Sequence, residues 1–78
     1  MAVTAYVLIQ TEVGRAERVA TAARGIAGVN ASDNVAGPYD VIVKAESGTL
    51  DDLGKLVVSE IQKVEGITRT FTCPVVNL

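Results

Sequence analysis

Apolar residues fall into repeated short blocks along this chain, and the spacing within each block names the element it forms. Between Ala5 and Thr11 the run Tyr6-Val7-Leu8-Ile9 has no polar break. A short run that is apolar on both pleat faces predicts a central strand covered from two sides. After Glu12-Val13-Gly14 the apolar positions become Ala16, Val19, Ala20 and Ala23, the spacing of a helix over 15–24 whose alanines allow close approach to a sheet. Gly25 and Gly28 are its stop signals, one of them expected in the left-handed conformation. Residues 29–35 alternate Val29, Ala31, Asp33 and Val35 against Asn30, Ser32 and Asn34, as in an edge strand half in water.

Gly37 and Pro38 then signal a chain reversal, because glycine tolerates unusual backbone angles and proline presets φ. The β-branched tripeptide Val41-Ile42-Val43 predicts a strand over Tyr39 to Ala45. Thr49 is a good N-cap for a helix running to about Lys63, with its hydroxyl placed to accept from the Asp52 N–H and with Leu50, Leu53, Val57, Ile61 and Val64 on one face. Gly66 ends that helix, and Ile67 to Val76 reads as the last strand. Pro74 cannot donate to a ladder, which argues for an edge position or a strand end there.

One motif recurs. Ile26-Ala27-Gly28-Val29 follows the first helix and Val64-Glu65-Gly66-Ile67 follows the second. The chain therefore reads as two strand-helix-strand halves joined by a central hairpin. That order, βαββαβ, predicts an α+β, ferredoxin-like fold: a four-stranded antiparallel sheet with two helices on one face. The right-handed crossover rule places the first and third strands in the middle. The other sheet face has no helix to cover it. Depending on register it carries Tyr6 and Leu8, Ile42, and a threonine row from the last strand, an apolar surface that sheet-to-sheet pairing of two copies would cover.

Composition strengthens the expectation of self-association. The chain has 78 residues, of which 49% are hydrophobic and 21% charged, a high apolar load for one small domain with a thin core. Seven Lys and Arg stand against nine Asp and Glu, for a net charge of -2, and the basic residues are scattered singly. Direct nucleic-acid binding is not expected. No run approaches the length of a membrane span and no signal peptide is evident. With one cysteine and no disulfide to form, the expected location is the cytoplasm.

Catalysis has little to work with. The chain has no histidine, so the commonest general base and metal ligand are missing. Cys73 has only Arg69 as a same-side neighbour and reads as a buried free thiol. Asp51 and Asp52 point in different directions, and no glycine pattern forms a phosphate-cradling loop. No enzyme, metal or cofactor is expected. What remains is the hairpin tip. A free amino acid needs an acceptor for its ammonium group and donors for its carboxylate. Asp40 can supply the first, and backbone N–H groups around Gly37 and Tyr39, or threonine hydroxyls of the last strand, the second. Equally, Asp40 and Tyr39 can do no more than close the turn, through a carboxylate-to-backbone bond and a packed ring.

The element order, Gly37-x-Tyr39-Asp40 with its β-branched run, Leu53-Gly54-Lys55-Leu56-Val57, and the ending Gly66-Ile67-Thr68-Arg69-Thr70-Phe71-Thr72-Cys73-Pro74-Val75-Val76 resemble the effector-binding (RAM) domain of Lrp/AsnC regulators. The resemblance runs from about Ala5 to Leu78, with 1–78 as one such domain. It implies dimerisation through the sheets, further assembly to an octamer or decamer, and an amino acid or related small effector bound between dimers. On that resemblance Gly37, Tyr39 and Asp40 border the site, and Thr70 and Thr72 contribute from the last strand. Family regulators carry an N-terminal helix-turn-helix, whereas this sequence opens on strand one, so it resembles the stand-alone form. The implied function is metabolite sensing in transcriptional or metabolic regulation. The alternative is an adaptor that co-assembles with full-length Lrp/AsnC regulators without a ligand of its own.

Overall fold

The computed structural model describes residues 2–77; Met1 and Leu78, the ends of the expected 1–78 domain, lie outside them. The elements are β1 (Val3–Thr11), α1 (Ala16–Arg24), β2 (Val29–Asn34), β3 (Val41–Ser47), α2 (Leu50–Leu56) continuing into a π-helical turn (Val57–Ile61), and β4 (Ile67–Pro74). They build one four-stranded sheet in the order β2-β3-β1-β4. Every pairing is antiparallel. The ferredoxin-like α+β fold is therefore the fold of this chain, with β1 and β3 central as their uninterrupted apolar runs require.

Alternation along the central strands builds the core. Val7 and Ile9 of β1 pair with Val43 and Val41 of β3, and all four are fully buried beneath the helices. Val19, Ala20 and Ala23 of α1 pack on them, together with Val57 and Ile61. A smaller cluster, Ala5, Ala45 and Leu53, continues the core toward the start of α2. Thr49 caps α2 as expected, its hydroxyl accepting from the Asp52 N–H at 3.1 Å.

The second helix departs from the expected regular helix over 49–63. Its buried residues Leu53, Val57 and Ile61 follow one another at intervals of four. In a regular α-helix, two such steps rotate a side chain by about 80° away from its starting face. The π turn absorbs that drift, marked by the Gln62 N–H donating to the Val57 carbonyl at 2.8 Å. Leu50, expected in the same apolar row, lies instead 58% exposed.

The two glycines of the repeated motif share a role. Gly28 and Gly66 have φ of 96° and 102°, values that L side chains rarely adopt. A Cβ at Gly28 would come within 2.9 Å of Leu56, and one at Gly66 within 3.0 Å of Arg15. Each half of the repeat thus seats its glycine against the helix of the other half.

Strand faces differ from expectation in two places. The β2–β3 register shifts between Val29 and Ala31, so Ser32 turns inward, 3% exposed, where its hydroxyl donates to the Ala20 carbonyl at 3.0 Å. Ala31 and Asp33, in phase with Val29 by simple alternation, are exposed. On β4, Thr70 and Thr72 pair with Ile9 and Val7 and therefore share the helix-covered side of the sheet. The open face receives Phe71, opposite Leu8, and Cys73, opposite Tyr6. The threonine row is not on the open face, and Cys73 is exposed rather than buried.

Candidate functional site

The loop between β2 and β3 is held by the end of β1. The Val35 N–H donates to the Asp40 carbonyl at 3.0 Å and closes the loop, and the Asp40 N–H donates to the Ile9 carbonyl at 2.9 Å. This closure is why β3 starts at Val41 rather than at Tyr39: Tyr39 and Asp40 belong to the turn. The Asp40 carboxylate oxygen Oδ2 accepts the Thr11 N–H at 2.8 Å and the Thr11 hydroxyl at 3.3 Å. The Gln10 amide Nε2 donates to the Pro38 carbonyl at 3.1 Å.

β1 can do this because its last residues leave the ladder. The register with β4 shifts between Gln10 and Thr11, and the Thr68 hydroxyl donates to the Gln10 carbonyl at 3.1 Å. The shift leaves the Thr11 N–H to the hairpin carboxylate. At the tip, Gly37 has φ of 131° with open space around its Cα. Among the described residues, neither the Gly37 nor the Tyr39 N–H has a hydrogen-bond partner. Two free donors next to one carboxylate can meet a small zwitterion or a carboxylate anion.

Tyr39 leaves the tip toward the open face. Its ring meets Phe71 edge-on, with centroids 5.8 Å apart and planes at 73°, the geometry that aromatic quadrupoles favour. The Arg69 guanidinium carbon lies 5.7 Å from the Phe71 centroid, a cation–π arrangement. Tyr6 and Phe71 on this face are 43% and 42% exposed, with Leu8 and Ile42 half-buried between them.

The five residues singled out in sequence thus form two groups. Gly37, Tyr39 and Asp40 lie together at the tip, whereas Thr70 and Thr72 lie on the helix-covered side of the β4 edge. Thr70 accepts from the Gln62 side-chain amide at 2.9 Å, within a shallow groove of about 230 Å³. Within one chain the two groups do not meet. Sequence reasoning passed over Gln10, Thr11, Phe71 and Arg69. The polar end of an apolar strand was the available signal for the first two, but only the register shows which loop they reach. Among the described residues, no three His, Cys, Asp or Glu side chains gather as a metal-ion cluster, and no helix is long and apolar enough to cross a membrane.

The fold and the loop together define an α+β domain of ferredoxin-like type, with one sheet face open and the β2–β3 tip pinned to the end of β1. A family model described as the Lrp/AsnC ligand binding domain matches residues 4–77, and the chain belongs to that family, a regulatory rather than an enzymatic one. An uncharacterised HTH-type transcriptional regulator of Pyrococcus furiosus is 30% identical over 76 residues, covering 88% of this chain and 48% of the regulator. The chain therefore spans about half the length of that relative. A hypothetical protein from Pyrococcus horikoshii is 32% identical with a TM-score of 0.88, covering 100% of this chain and 93% of that one. A transcriptional regulator of Neisseria meningitidis, solved as a complex with L-Met, has the same fold at a TM-score of 0.83. It is 14% identical, over 96% of this chain and 50% of that one.

Proposed function

We propose that this chain is an amino-acid-sensing regulatory module, a single domain that pairs through its open sheet face and takes its effector at a junction between subunits. The observation that carries this reading is the pinned tip, with the Gly37 and Tyr39 N–H groups free beside Asp40. Those donors suit a carboxylate, and membership of a ligand-binding family, with a regulator of the same fold solved as a complex with L-Met, supports an amino acid as the effector. Thr70 and Thr72 lie on the other side of the sheet from Tyr39. An effector that touched both groups would draw them from different subunits, which favours a site between copies and assembly beyond a dimer.

The occupant of the open face is a second copy of the chain. Alongside the half-exposed aromatics this face carries Lys44 and Arg69 together with Asp33 and Glu46, placed there by register opposite Tyr6, Gln10, Ile42 and Thr4. A surface with both signs of charge around an apolar centre is suited to meeting itself. The module acts in the cytoplasm, in transcriptional or metabolic regulation. An effector that contacts two dimers binds the assembled state better, and shifts assembly by that difference in affinity.

The test is thermal unfolding of the purified chain against the standard amino acids at fixed protein concentration. A ligand at about 100 times its Kd adds roughly 2.7 kcal/mol, a shift on the order of ten degrees in a domain of this size. A shift confined to one or a few amino acids is the expected result. No shift with any of them would overturn the sensing role. It would favour a second reading, a ligand-free adaptor that co-assembles through the same face with full-length regulators like the one whose half it matches.

A further inference from the structure

We propose that Gln10 and Thr11, at the end of β1, are positioning residues for the effector hairpin, and that Asp40 acts through Thr11 rather than by touching the effector's ammonium group. The inference rests on the hairpin being the effector site. Every polar element of Asp40 except one carboxylate oxygen is already engaged: its N–H with Ile9, its carbonyl with Val35, and Oδ2 with both donors of Thr11. Turning Oδ2 toward a ligand would leave the Thr11 N–H, at a half-buried position, without its acceptor, and an orphaned donor is costly, so the carboxylate is held in one orientation with only Oδ1 open.

The clamp also explains what stays free. Pro38 is fastened by the Gln10 amide and Asp40 by Thr11, so the tip is held on both sides of Tyr39. β1 is itself fixed at this point, because the Thr68 hydroxyl on the far side holds the Gln10 carbonyl and the Glu12 N–H donates to the Gly66 carbonyl at 2.8 Å. A loop fixed before binding gives up less conformational freedom to hold its ligand. In this arrangement the effector's carboxylate is bound by backbone donors, and the side chains of Gln10, Thr11 and Asp40 set where those donors point.

The experiment compares Asp40→Ala, Asp40→Asn and Gln10→Met in the full chain, reading two quantities. The first is the affinity for whichever amino acid shifts the wild-type unfolding temperature, measured by calorimetry. The second is hydrogen exchange at the Thr11 amide. Asp40→Ala is expected to weaken binding on the order of tenfold and to speed Thr11 exchange by a similar factor. Asp40→Asn keeps a side-chain oxygen for the Thr11 N–H and recovers most of both losses. Gln10→Met, nearly equal in size and partly exposed, folds regardless and weakens binding severalfold while leaving Thr11 protected.

Asparagine as poor a binder as alanine, with Thr11 still protected, would make Asp40 a direct ligand of the ammonium group and overturn the inference while leaving the sensing role standing. Unchanged Thr11 exchange in Asp40→Ala would remove the clamp itself, whatever binds. If the wild-type chain binds no amino acid, the positioning role falls together with the proposed function, and the exchange data then report only on the turn.

Discussion

The two faces of one sheet divide the same strands into different tasks. On the covered face Val7, Ile9, Val41 and Val43 are completely buried under helices. One residue along, Tyr6, Leu8, Ile42 and Phe71 are also apolar, yet they stay partly open, with lysine, arginine, aspartate and glutamate among them. The chain puts apolar side chains on both sides of its central strands but supplies helices for only one. Stability is built on the first face, and the second is the surface through which the proposed pairing of copies would run. Side chains that are neighbours in sequence are therefore expected to fail in different ways when changed.

The largest effect belongs to the covered face. Ile9 is fully buried and sits in the main cluster with Val19, Val41 and Ile61. Ile9→Ala removes packed methyl groups and leaves a cavity, with an expected cost of about 2–5 kcal/mol. Urea unfolding with an unchanged slope would read this directly; a loss below about 1 kcal/mol would mean that the site collapses around the smaller side chain. Little margin is left in a domain this small after that loss, so the unfolding is followed at low temperature.

On the open face, Phe71→Asp is expected to leave the chain folded and to weaken self-association on the order of a hundredfold, since pairing would now bury an unmatched carboxylate. Sedimentation velocity over a range of concentrations separates the two outcomes. A variant that associates like the wild type would show that the sheets do not meet across Phe71. The substitution also removes the edge-on contact with Tyr39, whose loss within the chain amounts to about 0.5–1.5 kcal/mol.

The sheet order was legible because the two runs that lack polar breaks, Tyr6-Val7-Leu8-Ile9 and Val41-Ile42-Val43, are the two central strands, and the repeated Gly28 and Gly66 mark equivalent points in each half. Less legible was anything that depends on register. Ser32 faces the core because one bulge at Val29 shifts the phase of an otherwise regular alternation, and no propensity encodes a one-residue slip. The open face was identified correctly for Tyr6, Leu8 and Ile42 but given threonines where Phe71 and Cys73 stand, since β4 is threonine on one side and mixed on the other and only pairing to β1 decides which side is which. At the candidate site, Asp40 and Tyr39 stood out as polar groups at a turn. Their partners Thr11 and Phe71 lie 29 and 32 positions away, beyond the reach of any local pattern.

The smallest expected effect concerns a residue that periodicity places in the core. Leu50, Leu53, Val57 and Ile61 read as one apolar row, yet Leu50 is 58% exposed while Leu53 is fully buried. Leu50 sits in the first turn, beside the Thr49 cap, and the π turn that follows Leu56 fits Val57 and Ile61 to the sheet without drawing Leu50 along. Leu50→Gln keeps a straight side chain with good helix propensity and removes little buried area, so its cost should stay within about 0.5 kcal/mol. The same change at Leu53 would bury an amide without a partner and cost several times more. Urea unfolding of the two variants side by side tests the helix geometry itself. Equal losses would mean that α2 continues as a regular helix with Leu50 turned inward, and the π turn would then have no packing to account for it.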